Sequence, residues 1–255
     1  MTGVVPAGQP VDQAPVRHQA SLPEAAIKPA PTPNVGNVAT ATDEPRRLSE
    51  LVMDAWQDAF ATWDVLVGEG AWTAVPPHLN FVSNVQSGHC YGLYVSAGPV
   101  YCSGNHTVFV SVSELQRIAS QLPDVGDAGL ALLVGHELGH HVQKLHGRFR
   151  AVSELMRTNP AVMRELTVRF ELEADCLAGV WMAHSPRYAG SEDRQRAMLA
   201  ALDAIGDDKI MLASAGRLSA EALTHGTSVQ RRRWFETGLT SGRIEACAVL
   251  EAPDY

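Results

Sequence analysis

The sequence has no apolar run approaching the ~18–20 residues that a membrane-spanning helix requires. The longest obvious one is Leu130–Val134, which excludes a transmembrane segment within this chain. Positive charge is also scarce, with 20 Lys and Arg against 28 Asp and Glu, a net charge of −8 and a pI near 5.6. That balance argues against nucleic acid or an anionic membrane as the principal partner. The basic run Arg231-Arg232-Arg233 reads as a solvated helix face with one internal contact. Residues 1–44 contain no Phe, Trp or Tyr and hold seven prolines. Such a segment lacks the apolar area to offset its ordering entropy. It is expected to be a disordered leader, with residues 45–255 forming a single domain. No basic region followed by an apolar stretch and a small-residue cleavage site opens the chain, so the sequence reads as soluble, with no visible export signal or anchor. Cysteine is limited to four, an even count that suits an oxidising compartment but permits three pairings. Cys90 and Cys102 flank a turn-rich loop. If the protein matures outside the cytoplasm, the expected bridges are Cys90–Cys102 and Cys176–Cys247; in the cytoplasm, four free thiols.

Against this sparse background, one stretch concentrates chemistry. His136-Glu137-Leu138-Gly139-His140 lies within an apolar, helix-forming run from about Asp127 to Gly147. Residues four apart share a helix face, roughly 6 Å along the axis. His136 and His140 can therefore present two imidazole nitrogens to one tetrahedral zinc. Glu137 projects beside them as a general base for a metal-activated water. The five-residue pattern also arises in amphipathic helices with solvated histidines, so the rest of the chain must supply a third ligand.

Two candidates exist. His146 follows His136 at the offset of the third metzincin histidine, but that motif needs a glycine where this chain has Gln143. On a continuous helix His146 lies about 240° around and ~9 Å along from His140, pointing away. Glu171, in Glu171-Leu172-Glu173-Ala174-Asp175, is favoured instead. Glu171 and Asp175 share one face of a second helix, so Glu171 can bind zinc while Asp175 orients a ligand histidine. Glu173 reads as a solvated helix charge. A cysteine ligand of the peptide deformylase kind is the weaker alternative: Cys90 stands 46 positions before His136, but the strand motif of those enzymes is missing. Asp207-Asp208 lack the alternating oxygen ligands of a calcium loop and read as helix-end or turn carboxylates. His18, His78, His89, His106 and His141 read as surface or hydrogen-bonded residues, and His184 as a favourable helix C-terminal charge.

These segments, with Cys176-Leu177-Ala178-Gly179-Val180-Trp181, Ile205-Gly206-Asp207-Asp208 and Thr224-His225-Gly226-Thr227-Ser228-Val229-Gln230-Arg231, resemble the neutral zinc metallopeptidases of the YpfJ type. The likeness spans about residues 76 to 248 in order; Leu177 departs from the usual aromatic, and the N-terminal membrane anchor of other members is not seen. It implies a zincin-like α+β fold, zinc as cofactor and a peptide or protein substrate. With the cysteines it also favours the cell envelope or secretion over the cytoplasm. Thr224 to Arg231 further resembles the Thr-His element followed by arginine in HtpX-type gluzincins. His225 is thus a candidate transition-state donor, the alternative being that His225 and Arg231 bond the tail to Asp175.

The architecture expected is a small, mostly antiparallel sheet packed on several helices, two of which supply His136, His140 and Glu171. Helical spacing from Val52 to Val67 and short β-branched runs at Leu79–Val85, Gly92–Val95 and Thr107–Val112 outline the elements before the metal helix. By analogy with zincins, Val108–Val112 is the expected substrate-binding edge strand. The function read here is peptide hydrolysis with one zinc per chain; the alternative is a zinc-binding structural or interaction protein of the same fold. Oligomeric state is not readable.

Overall fold

The computed structural model describes residue 31 and residues 43–68, 71–83, 98–122, 125–219 and 222–255. The expected leader falls almost wholly outside these residues. Helix α1 (Asp43–Leu66) is amphipathic: Leu48, Val52, Ala55, Trp56, Ala59, Phe60 and Trp63 are buried at helical spacing. A short α2 (Ala71–Ala74) follows, then β1 (His78–Val82), β2 (Val100–Cys102) and β3 (Thr107–Ser111). The remaining helices are α3 (Val112–Gln121), α4 (Gly126–Leu145), α5 (Arg148–Thr158), α6 (Met163–His184), α7 (Glu192–Ala204), α8 (Asp207–Ala215) and α9 (Ser228–Ser241). A tail of two 3₁₀ turns, Ile244–Cys247 and Val249–Glu251, completes the chain.

The class is α+β, as expected. Among the described residues the sheet has the order β1-β3-β2, with β1 and β3 parallel and β2 and β3 antiparallel. It is therefore mixed, where a mostly antiparallel sheet was expected. The strand order also corrects the substrate-edge assignment. Val108–Ser111 belong to the central strand: Val108 and Phe109 are paired with both β1 and β2, Val110 and Ser111 with β1, and Val112 already opens α3. Residues hydrogen-bonded on both sides have no free groups for a peptide, so Val108 and Phe109 do not form an edge. It is β2 that lies against α4. The Gly92–Val95 strand and His89 fall outside the described residues, as does His18.

Helix α4 is buried on almost every side from Ala128 to Gln143, so it runs through the core rather than along its surface. Its glycines decide how closely α6 can approach. A Cβ on Gly139 would sit 2.8 Å from the Ala174 carbonyl oxygen, and one on Gly135 would sit 2.3 Å from the Trp181 ring. Gly139 lets the α4 and α6 backbones nearly touch beside the motif histidines, and Gly135, one turn earlier, makes room for the Trp181 ring. On the far side of α6, α9 closes in the same manner through Gly238.

The tail is strapped to α6. Cys176 and Cys247 form a disulfide across a sequence separation of 71 residues, worth about 4 kcal/mol if it acts mainly on the unfolded chain. Arg169 donates to the carbonyls of Val249 and Ala252 at 2.8 and 2.7 Å and lies over the Tyr255 ring. Cys102 is also disulfide-bonded, while Cys90, its expected partner, lies outside the described residues. No helix among the described residues is long and apolar enough to cross a membrane.

Candidate metal centre

A helix buried all round must account for every polar side chain it carries, and α4 does so. His136 Nδ1 lies 2.8 Å from Asp175 Oδ1, and its Nε2 lies 3.2 Å from Glu171 Oε2. His140 repeats the pattern: Nδ1 is 2.7 Å from Gln143 Oε1 and Nε2 is 3.5 Å from the same Glu171 oxygen. Both rings thus turn Nδ1 toward an acceptor and Nε2 toward Glu171. Four ligands at zinc–nitrogen and zinc–oxygen distances of about 2.0–2.1 Å stand roughly 3.3 Å apart at tetrahedral angles. The observed separations bracket that value, and one donor atom from each of the three residues falls within a 4.8 Å cluster. His136, His140 and Glu171 can therefore hold a metal, and two imidazoles with a carboxylate are a donor set that suits zinc. Among the described residues no other such cluster of His, Cys, Asp or Glu occurs.

The charges around the centre are buried and paired. Burial opposes charge on His136, but Asp175 and Glu171 outweigh it and raise its pKa to about 10. Burial likewise pushes the Glu171 pKa up, yet His140 and His136 hold it well below its ordinary value. Asp175, fully buried, accepts from Arg231 through Nε at 2.8 Å and Nη2 at 2.9 Å, and Arg231 also donates to the Ile205 carbonyl. This two-point pairing and His136 outweigh burial and lower the Asp175 pKa. Glu137 accepts from the backbone N–H of Tyr101 on β2 at 2.6 Å; burial outweighs the neighbouring His136 and His140 rings and raises its pKa.

Several histidines are placed elsewhere. His141 is fully buried but faces the opposite way, with Nδ1 2.8 Å from the Tyr101 hydroxyl and Nε2 2.9 Å from the Val75 carbonyl. Desolvation lowers its pKa to about 3, so it is a neutral packing residue. His106 also meets the Tyr101 hydroxyl, and His184 meets the Gly242 carbonyl. His146 caps α4 and lines a cavity with Gln143, Glu173, Arg148 and Glu245; it is not in the donor cluster of His136, His140 and Glu171.

His225 lies in the loop before α9. Asp207 Oδ2 accepts the backbone N–H groups of Thr224, His225 and Gly226 at 2.6, 2.7 and 3.1 Å. Thr227 then caps α9 in a reciprocal box with Gln230. A Cβ on Gly226, at φ +100°, would meet Leu172 at 3.0 Å and Val168 at 3.4 Å on α6, so the loop sits beside the turn that carries Glu171. The His225 ring is half exposed and contacts Thr224 Oγ1 at 2.9 Å. Of the tail contacts expected at Asp175, Arg231 makes one; no described contact joins His225 to it.

Sequence reasoning missed three members of this environment. Gln143 read only as the absence of a metzincin glycine, but it bonds His140. Glu173 is not a solvated charge: it is buried and accepts from Gln143 at 2.9 Å and from Arg148 at 2.8 and 3.0 Å. Their i, i+3 relation to His140 and to Phe170 was a weak signal. The Tyr101 amide leaves no trace in sequence.

Comparison with known proteins joins this geometry to a family. The sequence profile described as "Putative neutral zinc metallopeptidase" matches residues 14–250. The chain belongs to that family. "Uncharacterized protein YpfJ" of Escherichia coli is 34% identical over 215 residues, covering 83% of this chain and 73% of that protein. "Uncharacterized protein Rv2575" of Mycobacterium tuberculosis and "Uncharacterized protein Mb2605" of Mycobacterium bovis are each 29% identical over 238 residues, covering 88% of this chain and 78% of theirs. No solved structure matches.

Proposed function

We propose that this family member is a zinc-dependent peptidase, with His136, His140 and Glu171 as zinc ligands and Glu137 as general base. The observation that carries the reading is a carboxylate, Glu137, oriented by a backbone N–H immediately beside a three-residue donor set. A purely structural zinc site is normally closed by four Cys or His ligands; here both described cysteines near the ligand helices are consumed by the Cys176–Cys247 bridge. Bound zinc would supply Lewis-acid polarisation of the scissile carbonyl and acidify water at its open position. Glu137, steadied by Tyr101, takes the proton from the attacking water and passes it to the departing amine. Asp175 and Gln143 hold a hydrogen on Nδ1 of each ring, so that the neutral imidazoles that would bind zinc do so through Nε2, and Arg231 keeps Asp175 ionised. The bridge also supports an oxidising, extracytoplasmic compartment, and we read residues 45–255 as the catalytic domain behind a leader.

An unbiased peptide library tests the activity. Cleavage is expected with the zinc-loaded protein, to stop on chelation and to return with zinc; products that form equally in chelator would contradict it.

His225 is proposed as a donor to the oxygen that becomes negative in the transition state, because its loop is clamped beside the Glu171 turn with the ring exposed. His225→Ala is then expected to lower kcat by roughly 10²–10³-fold with little change in KM or zinc content. Activity per bound zinc equal to wild type would reduce His225 to a loop residue.

A further inference from the structure

The position that breaks the metzincin pattern has a use of its own. Gln143 lies one turn beyond His140 on α4, on the same face. Its amide nitrogen has two acceptors, the Phe170 carbonyl at 2.7 Å and Glu173 Oε2 at 2.9 Å. That pair of acceptors assigns nitrogen to the α6 side and leaves the amide oxygen 2.7 Å from His140 Nδ1. A carbonyl oxygen can only accept, so Nδ1 carries the hydrogen and the neutral ring offers a bare Nε2. Glu173 is itself aimed: Arg148 engages its Oε1 through Nε and Nη2, leaving Oε2 for Gln143. Arg148 is in turn held by Glu251 of the tail. Phe170 stacks on the His140 ring at 5.3 Å between centroids, which fixes the ring plane but not its tautomer.

We infer that Gln143 is a positioning residue for the metal centre: held by Glu173 and the Phe170 carbonyl, it sets the tautomer and aim of His140. His136 has Asp175 for this task; His140 has no carboxylate partner at Nδ1 and relies on the amide. The inference rests on His140 being a metal ligand, and the controls separate the two ideas.

The test is zinc affinity by chelator competition, with the visible spectrum of the cobalt(II)-substituted protein, on disulfide-intact full chain. Gln143→Leu is expected to weaken zinc binding 10- to 100-fold, the usual effect of removing an outer hydrogen-bond partner, and to shift the cobalt bands. A double variant, Gln143→Glu with Glu173→Gln, keeps an acceptor at His140 and a donor–acceptor pair between residues 143 and 173, but turns a carboxylate oxygen toward the Phe170 carbonyl. It is expected to bind zinc more tightly than Gln143→Leu and more weakly than wild type, with cobalt bands close to those of wild type because His140 keeps its acceptor. The proposal is overturned if folded Gln143→Leu binds zinc as wild type does with unchanged bands. It is equally overturned if the folded double variant binds zinc no better than Gln143→Leu and shows the same cobalt bands as that variant. Glu171→Ala reports on the ligand assignment separately: if that variant keeps full zinc affinity, the ligand set is wrong whatever Gln143 does.

Discussion

Glu137→Gln is expected to keep its fold and its zinc and to cleave peptides at least ~10²-fold more slowly than wild type, the lower end of a general base's contribution. The substitution keeps the size of the side chain and an oxygen able to accept the Tyr101 N–H, which lies 2.6 Å from Glu137. It removes the capacity to take a proton. Because Glu137 is not in the donor cluster of His136, His140 and Glu171, metal content should be indifferent to the change. Single-turnover rates on any peptide found in the library, normalised to bound zinc, measure it. Equal rates for variant and wild type would remove Glu137 from the chemistry, whereas loss of zinc would place it among the ligands.

The largest effect on stability is expected at Arg231. Asp175 has no solvent exposure, and the Arg231 guanidinium meets both of its oxygens. Arg231→Met keeps the bulk of the side chain but strands a buried carboxylate with His136 as its remaining partner. Removing one member of a buried pair costs about 3–5 kcal/mol, which for a domain of this size lowers Tm by roughly 6–20 °C. Arg233→Met, by contrast, breaks an exposed pair with Asp254 and is expected to change stability by less than about 1 kcal/mol. Calorimetry of the two variants in parallel distinguishes the buried contact from the solvated remainder of the basic run. A Tm for Arg231→Met within a degree or two of Arg233→Met would show that Asp175 does not depend on the guanidinium.

What could be read from sequence was what depends on helical periodicity. The offset from His136 to His140 and from Glu171 to Asp175 fixes which side chains share a face, whatever the helices pack against. The end of α4 at Leu145 was marked by Gly147, whose φ of +73° suits a glycine. Glu173 shows where this ends. Its spacing on α6 is that of a surface charge, and its burial is created by Arg148 from another helix and by the tail beyond it. Strand order is non-local in the same sense. Thr107–Val112 has the composition of any short strand; that it lies between β1 and β2 depends on pairings across the chain. The orienting amide of Tyr101 belongs to the backbone, which every non-proline residue possesses, so no residue choice marked it.

Elemental analysis of zinc per folded chain, in wild type, Glu171→Ala and His146→Ala, tests the central claim most directly. The donor cluster of His136, His140 and Glu171 predicts one zinc in wild type, one in His146→Ala and little or none in Glu171→Ala. Full zinc in Glu171→Ala, or its loss in His146→Ala, would contradict the account.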